Sequence, residues 1–299
     1  MEIQSRKIRV LGLHGMGTSA AIFRSQTAAM RLKLPPDRFE FVFVDAPHPC
    51  SAAPGTDVLF DSARHYAFWT DPAAPPEAIR SAIAWLDGQL AQHGPFDILM
   101  GFSQGCALIA SYLVHHSLRS KQQRLEVQDQ KPLPFKAAVF ICGGVPLQVL
   151  SDAGVEVTRR ARDINALTGR MLRGRTAALA EMAANPELVA RERGVGLWDR
   201  DGAPAGLVHD PGRMPDQRDV FGLDLSDEAL PDGVGIAIPT AHVFGAKDPR
   251  WPASIQLACL CRDKRMYDHG GGHEIPRTTE VSEAMAELMM GLAKGVQGE

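Results

Sequence analysis

The sequence is poor in the residues that mark several classes of protein. Its five cysteines are scattered and odd in number, which does not fit a disulfide framework in a chain of this length, so we expect them to be reduced. The pair Cys259 and Cys261 has neither the two-residue gap nor the second ligand pair of a zinc site. We therefore predict no metal site.

Long apolar runs and an excess of basic charge are also missing. No apolar run approaches the roughly 18 residues of a membrane span, and residues 1–7 lack the apolar stretch of a signal peptide. Lysine and arginine number 32 against 35 acidic residues, giving a net charge of -3. Because nucleic-acid binders need a basic field, we expect no nucleic-acid partner. These absences predict a soluble, cytoplasmic protein without a membrane span.

What the chain does contain is a regular alternation of strand and helix patterns. With 299 residues and 45% apolar content, it is long enough to bury one large core. Helical spacing is clearest from Ile79 to Leu90 and from Val281 to Leu292, and 106–114 is apolar nearly all round. Short apolar runs predict buried strands at 8–13, 39–44, 98–102, 137–142 and 238–244. We predict an α/β fold with a mostly parallel sheet covered by helices on both faces.

One long segment, Val149–Gly235, interrupts this alternation. Met171, Leu172, Leu179, Met182 and Ala183 are spaced to line a helix face, whereas 194–235 has little periodicity and is assigned no regular structure. We expect a single domain over 1–299, with 149–235 inserted as a cap or lid.

The sharpest chemical signal is the G-x-S-x-G motif at Gly101–Gly105, which follows a predicted strand and precedes a predicted helix. This pattern is typical of a nucleophile elbow, in which a tight turn presents Ser103 above the sheet. The glycines are expected where neighbouring backbone passes close by.

A serine nucleophile needs a base and an acid, which follow it in the chain in this fold. His273 comes after three glycines in an irregular stretch, and we prefer it to the nearby His269, which directly follows a strand-like run. Asp248 follows a predicted strand and a glycine turn. We therefore predict Ser103, Asp248 and His273 as the catalytic triad.

Acyl transfer also needs two N–H donors aimed at the developing oxyanion. We predict the backbone N–H of Gln104 for one donor. The glycine-rich turn after the first strand offers Met16 for the other, with Gly17 as the alternative. A simple tight turn explains this loop equally well when it is taken alone.

Together, residues 13–18, the motif at 101–105, the turn at 245–249 and the stretch 271–273 resemble the FSH family of fungal serine hydrolases. The family includes hydrolases of polyketide biosynthesis, part of secondary metabolism, that release acyl chains from a synthase. The resemblance implies an α/β-hydrolase fold, the triad named above, no cofactor and a short-chain ester or thioester substrate. The segment 149–235 looks longer than the corresponding connection in that family.

An aromatic-rich patch that includes Phe68 and Trp69 lies where such enzymes line an acyl pocket. Ordinary core packing is the other interpretation of this patch, and we slightly favour it because aromatic side chains more often pack than bind.

Other functions stay open at this point. The same triad serves an acyltransferase or cyclase if another nucleophile replaces water. A nucleotide-binding oxidoreductase would use the glycine-rich turn at 12–17, but its spacing is G-x-x-G-x-G and only Asp45 follows the second strand. A catalytically silent binding protein on the same fold is the third alternative. An intact triad argues against it.

The predicted cap also carries a basic cluster. Between Glu156 and Arg175, six arginines stand against two acidic residues, a local charge of +4. If an acyl chain arrives on an acidic carrier domain of a polyketide synthase, this cluster is a candidate docking face. A solvated helix face is the commoner meaning of such a run. The members of the cluster are Arg159, Arg160, Arg162, Arg170, Arg173 and Arg175.

Overall fold

A parallel six-stranded sheet forms the centre of the described part of the molecule. The computed structural model describes residues 6–54, 56, 60, 64–71, 74–125, 132–185, 198, 207 and 214–297. The strands are β1 (Ile8–Leu13), β2 (Phe39–Val44), β3 (His48–Pro49), β4 (Tyr66–Ala67), β5 (Ile98–Phe102), β6 (Ala137–Ile141), β7 (Thr240–Phe244) and β8 (Lys264–Asp268). The sheet order is β2-β1-β5-β6-β7-β8, and β3 and β4 form a separate antiparallel pair. All neighbouring strands of the large sheet are parallel.

Helices cover both faces of this sheet. They are α1 (Ala20–Gln26), α2 (Ala28–Arg31), α3 (Pro76–His93), α4 (Gln104–Leu125), α5 (Leu147–Asp152), α6 (Arg159–Ala184), α7 (Trp251–Cys259) and α8 (Thr279–Gln297). Alternate residues of each strand point to opposite faces, so Leu99 packs with α3 and α4, whereas Ile98 and Met100 pack with α1, α2 and α8. The mostly parallel α/β sheet is as the sequence predicts, and the chain has the α/β-hydrolase fold that the resemblance implies. In the part of the chain that is described, no helix is both long and apolar enough to cross a membrane.

The predicted strand bounds differ from the observed ones at two places. Strand β6 ends at Ile141 because Cys142 takes a left-handed backbone conformation with a φ of 49°. Strand β7 begins at Thr240, two residues later than predicted, after Pro239, which has no N–H to donate to a neighbouring strand. Both differences lie at strand ends and leave the sheet topology as expected.

The segment 149–235 contains the long helix α6 and, among its described residues, a short 3-10 turn at Gln217–Asp219. That turn lies in the stretch for which the sequence predicts no regular structure. The inward side of α6 also differs from the predicted face. Its fully buried positions include Ala161, Thr168 and Arg175, whereas Met171 and Leu172 are half-buried. Two of these buried positions are polar because α6 contacts a loop by hydrogen bonds.

Candidate active site

Ser103 stands at a strained turn between β5 and α4. Its φ is 50°, a conformation that non-glycine residues rarely adopt. A Cβ at Gly101 would lie 2.6 Å from the backbone nitrogen of Cys106, and one at Gly105 would collide with the carbonyl oxygen of Leu13. Both glycines are therefore required by close approach of main chain, and this packing fixes the turn that presents the serine.

A continuous hydrogen-bonded chain links Ser103, His273 and Asp248. The Nε2 atom of His273 lies 2.9 Å from the Oγ of Ser103, and Nδ1 lies 2.7 Å from Oδ2 of Asp248. Asp248 is fully buried. Because an ionised carboxylate only accepts hydrogen bonds, we assign the imidazole proton to Nδ1, which leaves Nε2 free to accept the serine proton. The structure thus brings the three predicted residues together. Their contacts follow the order that catalysis requires, from the nucleophile to its base and from the base to an orienting acid.

His269, the alternative base in the sequence, lies elsewhere. Its Nδ1 accepts a hydrogen bond of 3.1 Å from the N–H of Gly271, and its Nε2 lies 3.8 Å from the Sγ of Cys142. Burial lowers the pKa of this imidazole below its ordinary value. Among the hydrogen bonds of the described residues, His269 makes none with Ser103. It supports the loop that carries His273.

That histidine loop, residues 269–274, packs against the predicted cap. A Cβ at Gly272 would run into the indole ring of Trp198. The sequence predicts that the glycines here leave His273 free to reach the elbow, and the structure adds a second reason for one of them. Gly272 allows an aromatic side chain from 149–235 to lie directly beside the imidazole-bearing residue.

Cys142 is buried beside the catalytic residues. Its Sγ lies 3.5 Å from the carbonyl oxygen of Glu274, and ligand atoms of Cys142, Asp248 and His273 all lie within 4.8 Å of one another. These are the described residues whose spacing approaches that of a metal site. Burial and the Asp248 charge raise the pKa of the thiol well above its ordinary value. The protonated thiol suits a weak hydrogen bond to the histidine loop, whereas a metal ligand must be a thiolate.

The loop after β1 lies against the elbow. His14 is fully buried; its Nδ1 is 2.7 Å from the carbonyl oxygen of Gly15, and its Nε2 accepts a hydrogen bond of 3.0 Å from the N–H of Ala46. Burial lowers the pKa of His14, so the neutral form persists. Through these two hydrogen bonds, the imidazole stabilises the conformation of the loop after β1. This role is not predicted from the sequence, although His14 lies within the glycine-rich turn at 12–17.

The structure distinguishes between Met16 and Gly17, the two candidates for the oxyanion donor that accompanies Gln104. The N–H of Gly17 donates to the carbonyl oxygen of Tyr66 at 3.0 Å, so it is already engaged. Within the described part of the chain, the N–H of Met16 has no acceptor. Gln104 is the first residue of α4, where backbone N–H groups lack intrahelical acceptors. Met16 and Gln104 thus stay the better pair.

The side chain of Gln104 has a further contact that the sequence did not predict. Its Oε1 accepts from the N–H of Phe68 at 2.9 Å, and its Nε2 donates to the carbonyl oxygen of Trp69 at 2.8 Å. Phe68 itself has no exposed surface and packs between the rings of His14 and Trp85, at centroid distances of 5.3 and 5.4 Å. In this conformation Phe68 is a core residue that supports the elbow, and Trp69 is buried beside it.

The family model of serine hydrolases described as FSH1 matches residues 1–285. The chain belongs to the FSH1 serine hydrolase family. The hydrolase is 28% identical over 288 residues to the esterase FPY3 of Fusarium mangiferae, covering 94% of this chain and 95% of that protein. It is 33% identical over 290 residues to the esterase FUS5 of Gibberella moniliformis, covering 94% and 85%. A solved carboxylesterase from Mesorhizobium loti is 11% identical, with a TM-score of 0.49 and coverage of 96% and 90%.

Family membership makes this protein a serine hydrolase and directs attention to its one serine in a G-x-S-x-G elbow. The distances, the buried carboxylate and the assigned tautomer together allow proton transfer from the Ser103 hydroxyl to His273 as the oxygen attacks a carbonyl carbon.

Proposed function

We propose that this hydrolase cleaves a carboxylic ester or thioester through an acyl-enzyme on Ser103. His273 takes the serine proton and returns it to the leaving group, and Asp248 orients the imidazole and stabilises its charged form. The backbone N–H groups of Met16 and Gln104 hold the oxyanion. A water molecule activated by His273 then releases the acid. The observation that carries this proposal is the unbroken hydrogen-bonded chain from Ser103 to Asp248.

The substrate class is an acyl chain on an oxygen or sulfur leaving group, and a carrier-bound polyketide chain is the natural source of such a thioester. Relatives in Fusarium and Gibberella bear the name esterase. Intact-mass spectrometry after brief incubation with acyl thioesters and esters tests the proposal. We expect an adduct of the acyl mass on Ser103 and none in Ser103→Ala. An adduct that persists in Ser103→Ala would contradict it.

The docking of an acidic carrier rests on the exposed part of the basic cluster. Arg170 and Arg173 are exposed on α6. Arg160, by contrast, is paired with Asp219, and Arg175 is buried and donates to the carbonyl oxygen of Lys247 at 2.8 Å. The docking face is therefore smaller than the sequence cluster, and Arg175 belongs to the interior.

Charge reversal separates docking from catalysis. The double variant Arg170→Glu/Arg173→Glu should lower kcat/KM about tenfold on a carrier-bound thioester at low ionic strength, because electrostatic steering is lost. Added salt should shrink this difference. A small soluble ester should be cleaved at the wild-type rate. The matched control Lys7→Glu/Lys33→Glu changes net charge equally, away from the carboxyl ends of the strands. Equal losses in both double variants would overturn specific docking.

A further inference from the structure

Two arginines join the loop that carries Asp248 to helix α6. We call residues 245–250 the acid loop. From this loop, the Nη1 atom of Arg250 donates to the carbonyl oxygen of Asn165 and to Oγ1 of Thr168, each at 2.9 Å, and Nη2 donates to Oδ1 of Asn165 at 2.8 Å. From the helix, Nη1 of Arg175 donates to the carbonyl oxygen of Lys247 at 2.8 Å. Each of the two elements thus donates side-chain hydrogen bonds to the other.

This set of contacts runs from the surface into the interior, because Asn165 is exposed and Arg250 is half-buried. Thr168 and Arg175 are 2% and 7% exposed. Burial lowers the pKa of Arg250, and the negative charge of Asp248 acts on it in the opposite direction. A guanidinium presents its donors in a rigid fork, so a set of three hydrogen bonds to one helical turn fixes the position of Arg250 closely. Lysine would offer a single point of attachment.

The anchored residue is itself bonded to the acid. The backbone N–H of Arg250 donates to Oδ1 of Asp248 at 2.7 Å, while Oδ2 of the same carboxylate faces Nδ1 of His273 at 2.7 Å. A displacement of residue 250 therefore moves the carboxylate that orients the imidazole. Misplacement of a reacting group by about 1 Å is sufficient to cost about a hundredfold in rate.

We infer that Arg250 is a positioning residue that uses helix α6 as its anchor to hold Asp248 in line with His273. The inference rests on the proposed function, because it assigns Asp248 the role of the acid. It also gives helix α6, within the segment 149–235, a part in catalysis. Order in α6 and geometry in the triad are coupled through the acid loop.

The first test compares Arg250→Ala and Arg250→Lys with wild type on a small soluble ester. Both variants keep the backbone N–H that bonds to Asp248. Arg250→Ala removes the anchor, whereas Arg250→Lys reduces it to a single point of attachment. We expect kcat to fall about 10- to 100-fold in Arg250→Ala with KM changed less than threefold, and a smaller loss in Arg250→Lys. Asn165→Ala, which removes one acceptor on the helix, should lower kcat mildly and serves as a second variant if Arg250→Ala does not fold.

A matched control distinguishes positioning from general stability. Arg9 likewise donates to two main-chain carbonyl oxygens, those of His93 and Pro95, at 2.7 and 2.9 Å, far from the acid loop in the fold. Arg9→Ala should lower Tm and leave kcat at the wild-type value. If Arg250→Ala behaves in the same way, losing stability without losing kcat, the inference is overturned.

The decisive measurement is a double-mutant cycle with Asp248→Asn. If Arg250 acts through Asp248, then adding Arg250→Ala to Asp248→Asn should lower kcat by less than threefold further, because the group being positioned is already compromised. Losses that multiply would overturn the inference while leaving the triad intact. If Asp248→Asn alone kept the wild-type kcat, the acid assignment of the proposed function would fail first, and the inference with it.

Discussion

The elbow around Ser103 and the acid loop around Asp248 are held in place by different means. At the elbow, main chain packs against main chain: the N–H of Ser103 donates to the carbonyl oxygen of Ile141 at 3.0 Å, and the two flanking glycines touch neighbouring backbone. At the acid loop, the N–H of Lys247 donates to the carbonyl oxygen of Gly271 at 2.9 Å. Side-chain hydrogen bonds between this loop and helix α6, made by Arg175 and Arg250, add to that main-chain contact. The turn that carries the nucleophile is thus fixed mainly by main-chain packing, whereas the loop that carries the acid also depends on side-chain hydrogen bonds to helix α6.

This difference has consequences for tolerance to change. Substitutions of exposed side chains near the elbow should spare its geometry, whereas a Cβ added to either flanking glycine should distort it. Substitutions near the acid loop should act gradually, since each side-chain hydrogen bond contributes about 0.5–3 kcal/mol, with charged donors at the upper end. The two halves of the triad should therefore respond differently to mutation.

The largest effect is expected at the elbow. Ser103→Ala should lower kcat by about 10⁴-fold or more, because the nucleophile is lost. The fold should remain, since the turn depends on Gly101 and Gly105 and not on the hydroxyl. Steady-state kinetics and circular dichroism of the purified variant check both statements. Wild-type turnover in this variant would remove Ser103 from the mechanism.

The next largest losses of kcat are expected for the histidines and the acid that accompany Ser103. His273→Ala should be about as damaging as Ser103→Ala, because no other base contacts the hydroxyl among the described residues. Asp248→Asn should lose less, as befits an orienting group. His269→Ala should be mild, within about tenfold, since this imidazole only supports the loop. A His269→Ala variant as slow as His273→Ala would reverse the assignment of the base.

The same contrast explains what the sequence alone predicts. The elbow can be predicted from the sequence because close backbone approach demands glycine at fixed spacing within five residues. The buried strands can be predicted because their apolar runs are short and bounded. The hydrogen bonds that support Asp248 cannot be predicted from the sequence, because Arg250 and Asn165 are separated by 85 residues. A buried arginine on α6 also looks like one more member of a basic cluster until the helix is placed against the acid loop.

The glycines of the elbow offer a smaller, purely structural test. Gly105→Ala would place a Cβ against the carbonyl oxygen of Leu13, so we expect a loss of at least about 1–3 kcal/mol in the free energy of unfolding. Gly88 in α3 is the matched control, because a Cβ there meets no atom of the described structure within 4 Å. Gly88→Ala should stabilise the helix by up to about 1 kcal/mol. Urea denaturation of both variants measures the difference, and equal stabilities would show that the elbow yields easily.

On the acid side, the strand that leads to Asp248 carries a buried histidine. The Nε2 atom of His242 lies 3.0 Å from Oγ1 of Thr240, its ring stacks on Phe140 with centroids 5.1 Å apart, and Nδ1 has no partner among the described residues. Burial lowers the pKa of His242 to about 3. In the unfolded chain the pKa of a histidine is about 6.5. The folded protein therefore binds fewer protons here than the unfolded chain at any pH between these two values.

Because of this difference in bound protons, we expect the stability of the protein to depend on pH, which is the smallest of the predicted effects. The contribution of neutral His242 is fully present above about pH 6.5 and is lost as the pH falls toward about 3, with a slope of at most about 1.4 kcal/mol per pH unit. His242→Gln should flatten the wild-type slope between pH 6.5 and 4.5, measured by urea denaturation at each pH. Some slope should remain, because burial also lowers the pKa of His14 beside the elbow. Identical slopes in the variant and the wild type would mean that folding does not lower the pKa of His242, and would contradict this prediction.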